Sequence, residues 1–358
     1  MNNKESRILS YDVLRIVGAA SVLLIHISAY LIIYFKNGTH NEWMSGNAIQ
    51  LLSNAANPIF VMLSGALLLQ ENRSNEGLAF YKKSWIPIVI LTIGWTVFYA
   101  FFYAVVLPVL ENQSPDFRIF VNYCFQMEGS DYPHLWYLYM LIGLYLIIPI
   151  LRIIAKKENI KYILIFVLIS IIAQFIPEFI NPFFPKDCIK PGDYVSLFYL
   201  QPFLGYTTYL LLGWLIVNYE IKKPARIGLY FSAISFGIFN FIGLKLGFIK
   251  RIAIFSALSI ASMLWGVAVF MAIYYLFRGK TTKTRIIEEM AKLSFGEYAL
   301  HVLFLELFVR FILPYEQFVW KEPVLYIVVA FTCISVVSLL VSFILSRIHK
   351  LNVIIRYK

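Results

Sequence analysis

Residues 11–35 read YDVLRIVGAASVLLIHISAYLIIYF, a run whose only ionisable side chains besides tyrosine are Asp12, Arg15 and His26. About 20 consecutive apolar residues cross a bilayer core of roughly 30 Å as a helix, and this stretch has that length. It is continuously apolar and far longer than a tilted membrane strand, which points to a helix and not to a barrel. It is also too long for the apolar core of a cleavable leader and contains His26, so it is expected to act as an uncleaved signal anchor.

The same pattern recurs along the chain. Ten spans are expected, at 13–35, 49–69, 86–110, 134–154, 160–180, 199–219, 227–245, 252–277, 293–313 and 323–346. If the N-terminus is cytoplasmic, only Lys36, Arg118, Lys186, Lys190, Lys245, Lys250, Arg251, Arg310 and Lys321, nine of the 31 Lys and Arg, fall on the outer side. That asymmetry places both termini in the cytoplasm, with the turn at Lys245, Lys250 and Arg251 running against the rule. The expected fold class is therefore all-α, a polytopic membrane helix bundle of about ten transmembrane helices, with 1–358 as a single membrane-embedded domain. The expected location is the cell (inner, cytoplasmic) membrane, crossed many times.

Composition agrees. Of 358 residues, 60% are hydrophobic and 14% charged, whereas a soluble domain is nearer half apolar and a quarter charged. Disorder needs low hydrophobicity, and 18 Gly and 3 Cys fit neither a collagen nor a disulfide scaffold. The net charge of +11 comes without basic runs interleaved with exposed aromatics. No nucleic-acid partner is expected, since loop charge accounts for the excess. Cys124 and Cys188 lie in the two long outer loops, where a pair is open, and the simpler reading of these two and Cys333 is three inert thiols. No internal repeat is apparent, which weighs against an inverted-repeat transporter.

Polar groups inside the bilayer cost a few kcal/mol, roughly, so each needs a reason. Eleven positions separate Arg15 from His26, and at 100° per residue the two lie about 20° apart on one helix face, with a rise of about 16 Å. A guanidinium at the inner surface suits a phosphate. An imidazole near the midplane suits a general base, because it titrates near neutral pH. Gly18, Ala19 and Val22 between them are small enough to leave a groove for a long, thin ligand. His301 lies at comparable depth in the ninth span, with Glu297 four residues before it on the same face. No third and fourth ligand stands at ordinary spacing, so no metal is expected. Asn54, Asn57 and Ser64 lie on the second span around Pro58, and a proline-broken helix near the midplane usually lines a cavity. His134 and Trp136 open the fourth span, either as part of an interfacial aromatic belt or as a sugar-stacking platform. G-x-S-x-G, P-loop, H-E-x-x-H and G-x-G-x-x-G motifs do not occur.

Arg15, ten residues, then His26, inside Tyr11-Asp12-Val13-Leu14-Arg15, resembles the opening of the acyltransferase family 3 membrane proteins. Asn57-Pro58-Ile59-Phe60-Val61-Met62-Leu63-Ser64-Gly65 is similar to that family's second-span signature, His134 through Pro149 to its fourth, and Ser294 to His301 to its late Tyr-x-x-His span. The four follow in register from the first span to about residue 346. The resemblance implies transfer of an acyl group, most often acetyl from acetyl-CoA, to a hydroxyl of a cell-surface or lipid-linked carbohydrate.

His26 matches the family's essential histidine and Arg15 its paired basic residue; His301 joins them as a catalytic candidate. The link after the second span usually carries an arginine pair flanking one residue. Here it reads Tyr81-Lys82-Lys83-Ser84-Trp85, which keeps the basic character and loses the bidentate guanidinium. Donor contacts are thus expected at Arg15, Lys82, Lys83, Gly18 and Ala19, and acceptor contacts at His134, Trp136, Asn57 and Ser64. The implied partners are acyl-CoA, a carbohydrate or glycolipid acceptor and the bilayer, with a homo-oligomer or an envelope-synthesis complex open. The rival readings are a transporter or flippase of a polysaccharide precursor and a sensor or structural partner for envelope synthesis.

Overall fold

The computed structural model describes residues 7–34, 40–71, 77–125, 133–185, 187–198, 200–312, 322–348 and 355. Lys36, Lys186 and Lys321, counted above, lie outside them. Among the described residues there is no β-strand, only an isolated bridge between Ile8 and Thr281. The all-α expectation is met, and all ten expected spans fall on helix.

Among the described residues, eight helices are long and apolar enough to cross a membrane. The other two miss that standard for different reasons. The sixth, Tyr206–Asn218, is only 13 residues long because the chain leaves helical geometry at Gly205. The ninth, Arg285–Leu307, carries Arg285, Glu288, Glu289 and Lys292 in its first two turns and buries Glu297 and Glu306 further on.

The chain forms two compact units, residues 1–68 with 157–358, and residues 69–156. In the first unit α1 (Leu9–Tyr34) is the central helix. It packs against α2 (His40–Ser53), α3 (Ala56–Leu68), Ile260–Phe277, Arg285–Leu307 and Pro323–Arg347. A helix so surrounded buries both faces, as Leu14, Ala19, Leu23, Ile27 and Leu31 show. The second expected span is two helices. The break falls at Asn54–Ala55, three residues before Pro58, which supplies no N–H to an α-helical ladder.

α3 and Tyr206–Asn218 meet almost backbone to backbone. A Cβ on Gly65 would land on the Leu210 carbonyl, and one on Gly213 would land on that of Met62. Between helices in lipid, where burial of apolar surface gives little drive, such close approach is what holds a pair together.

In the second unit, Gly77–Leu110 runs beside Trp136–Ile154. The pair is joined by bonds from Tyr81 Oη to the Leu146 carbonyl (3.0 Å) and from Trp85 Nε1 to that of Ile142 (3.0 Å). The Thr96 and Tyr139 hydroxyls share a third, at 2.5 Å. Cys124, Cys188 and Cys333 are all free thiols.

Candidate active site

At the inner end of α1 a buried carboxylate organises two arginines. Asp12 is 1% exposed; it accepts from Arg7 Nε at 3.0 Å and Nη2 at 2.5 Å, and from Arg15 Nη1 at 3.2 Å. Thr282 Oγ1 donates to the same carboxylate at 2.7 Å. The hydrogen bond to Asp12 raises the Arg7 guanidinium above its ordinary range, more than burial lowers it. The segment before α1 is pinned to the 278–284 link by Leu9 N to Lys280 O (3.0 Å) and Thr282 N to Arg7 O (2.9 Å). Glu288 and Glu289 also act on Arg7 and pair with Lys292, so three cations and three carboxylates meet at this end. Both arginine side chains stay about 30% exposed, at 31% and 30%, and a guanidinium so exposed can meet an anion.

α1 is unbroken from Leu9 to Tyr34, so the helical relation between Arg15 and His26 holds. His26 meets His301, with ring centroids 5.0 Å apart and planes at 49°. His301 is 1% exposed, and its Nδ1 lies 2.6 Å from the Tyr298 carbonyl oxygen. A carbonyl only accepts, so Nδ1 carries the hydrogen and Nε2 presents its lone pair. One turn toward the N-terminus of the same helix, the buried Glu297 carboxylate accepts from Ser335 Oγ at 2.5 Å.

One turn further outward Tyr30 Oη donates to Glu306, which also accepts from Arg310 Nε at 2.9 Å. The α1–Arg285–Leu307 pair thus carries a histidine tier between a tyrosine–carboxylate–guanidinium tier and an end where Arg7, Arg15 and Lys292 meet Asp12, Glu288 and Glu289.

The profile of acyltransferase family 3, described as an acyltransferase domain, matches residues 8–347, nearly the whole chain. The chain belongs to acyltransferase family 3. It is a multi-pass membrane protein of an acyl-transferring family. Searches of curated proteins and of solved structures return no match.

Within this acyltransferase the remaining expected site residues divide. Gly18 does not leave an open notch, because ring atoms of Phe60 stand 2.9 Å from where its Cβ would be. Ala19 beside it is 1% exposed. The groove expected there is filled by an aromatic side chain from the next helix but one. Ser64 Oγ donates to its own helix at Phe60 O (3.0 Å), and Asn57 is half-buried. Asn54 crosses to the eighth span, donating to Ser262 Oγ (2.6 Å) and Ile254 O (3.2 Å), and so ties down the break before Pro58.

In the second unit of the acyltransferase, Lys82 and Lys83 are exposed on a π-helical turn, Tyr81–Trp85. His134 corrects the stacking-platform expectation: it is 1% exposed, with its ring edge-on to buried Tyr99 at 4.6 Å. Trp136 is 37% exposed, with its ring edge-on to Tyr137 at 6.1 Å.

Three residues were missed in sequence. Asp12, three before Arg15, was legible as an i, i+3 ion pair. Tyr30, four after His26, was legible as the same face one turn outward. Arg310 was legible four after Glu306, as another pair on one helix face.

Proposed function

We propose that this membrane acyltransferase moves an acetyl group from cytoplasmic acetyl-CoA to a hydroxyl of a cell-surface or lipid-linked carbohydrate, with His26 as general base. The observation that carries the reading is the meeting of His26, on α1, with His301 of the neighbouring helix, above the Asp12 carboxylate that holds Arg15 and Arg7. The arginines take the donor's phosphates.

His26 accepts the proton of the acceptor hydroxyl as its oxygen bonds to the thioester carbonyl carbon. The C–S bond then breaks, and His26 returns the proton to the departing thiolate, so ester and thiol are the products. His301, fixed through Nδ1, holds the His26 ring. Keeping the reaction between helices keeps water from the thioester. In the covalent variant His26 carries the acetyl group itself, and only that route gives ping-pong kinetics.

Family membership favours acyl transfer over movement of a polysaccharide precursor. The test compares surface glycans of cells with and without the gene by mass spectrometry. Loss of acetyl mass increments in the deletion supports the proposal. Unchanged acetylation, with glycan retained inside, supports transport instead.

A further inference from the structure

The outer turn that runs against the positive-inside rule contains a cation the mechanism leaves unused. Arg251 opens a short helix, Arg251–Phe255, just before Ile260–Phe277. It is half-buried; its Nε donates to Asn47 Oδ1 at 3.1 Å, its Nη2 donates to Gln50 Oε1, and its guanidinium carbon stands 4.9 Å over the Phe255 ring. Among the described residues no carboxylate pairs with it and nothing accepts from Nη1. Arg310, also at the outer end, is by contrast neutralised by Glu306.

The holder is built in advance. Asn47 is fully buried, and its Nδ2 donates to the Trp43 carbonyl at 2.7 Å, which turns Oδ1 toward the guanidinium. Amide dipoles hold the group in place without cancelling its charge. Withdrawing a cation from water without a counter-ion is costly, and a bound anion relieves that cost.

The level is right for the reaction. Gly46, next to Asn47, lies against Leu31, Ile32 and the Ser28 carbonyl of α1. Leu31 is five residues beyond His26, about 8 Å along the helix. Phe255, the ring beside the charge, packs on one apolar cluster with Trp43, Ile249 and Ile254. Lys245 and Lys250 are exposed on the same turn and add positive potential.

We infer that Arg251, held by Asn47 and Gln50, binds an anionic group, carboxylate or phosphate, on the acceptor, so that the acceptor is an acidic glycan. The inference rests on the proposed function and narrows its acceptor class. A guanidinium is suited to either anion, because its planar donors match two oxygens at once.

The test is binding, independent of acyl transfer. Full-length protein in maltoside micelles, which hold no phosphate, is titrated with four probes. Two are a glucuronate-bearing tetrasaccharide and its carboxyl-reduced counterpart; two are a tetrasaccharide bearing a hexose 6-phosphate and its dephosphorylated parent. At least one acidic probe should bind tenfold or more tightly than its neutral partner. Arg251→Gln should reduce that preference to within twofold and Arg251→Lys should keep part of it. Lys245→Gln, which removes a nearby charge outside the holder, should keep nearly all of it. The inference is overturned if neither acidic probe is preferred, or if the preference survives Arg251→Gln. It is also overturned if phospholipid nanodiscs abolish the preference, since a lipid phosphate then occupies the site. Protein that shows the preference yet never consumes acetyl-CoA would leave this inference standing and refute the proposed function.

Discussion

His26 and His301 sit on two neighbouring helices with their ring centroids 5.0 Å apart, and the second ring is anchored through Nδ1 to the carbonyl of Tyr298. In the proposed mechanism His26, in line with Arg15 on α1, takes the proton, and His301 is a positioning residue.

Replacing His301 should therefore slow the reaction without weakening donor binding. His301→Ala is expected to lower kcat for acetyl-CoA consumption by about 10- to 100-fold while KM for acetyl-CoA stays within about twofold, and to move the acid limb of the pH–rate profile. A purely structural role would leave that limb in place. Steady-state kinetics across pH decides between them.

Arg15 makes a prediction about phosphate. Arg15→Gln should raise KM for acetyl-CoA about tenfold, near 1.4 kcal/mol, and hardly affect the weaker substrate acetyl-pantetheine, which has no phosphate. Arg15→Lys should recover part of the loss. Equal effects on both donors would remove the phosphate from the account.

Much of the fold was legible because the apolar runs are long and unbroken, and the ten helical segments lie where they were expected. The break at Asn54–Ala55 was signalled by Pro58. What could not be read depends on which helices are neighbours. Phe60 fills the space beside Gly18, Tyr99 covers His134, and Glu306 finds Tyr30 276 positions earlier in the chain. Periodicity says which face of a helix is apolar and nothing about what faces it. The shared face of Arg15 and His26 was readable because it lies within one helix.

Gly65 tests the packing. Gly65→Ala places a methyl on the Leu210 carbonyl and should destabilise the protein by about 1–3 kcal/mol, read as a lower melting temperature in detergent. Gly94→Ala is the matched control: nothing stands within 4 Å of that Cβ position, and alanine favours helix over glycine, so stability should hold or rise.

The outer tier tests the use of buried charge. Glu306→Ala leaves the Tyr30 hydroxyl and the Arg310 guanidinium without their shared acceptor, a loss of about 1–3 kcal/mol for such a bond. Tyr30→Phe should cost less, because Arg310 keeps Glu306. Thermal unfolding of the two variants side by side checks the order, and a larger loss for Tyr30→Phe would contradict it.

The most direct measurement is thiol release from acetyl-CoA by purified wild-type and His26→Ala protein in nanodiscs, with glycan acceptor present and with retained folding shown by thermal unfolding. The account predicts acceptor-dependent release by the wild type and release at the background rate by the variant. Wild-type release rates from a folded His26→Ala protein would contradict it.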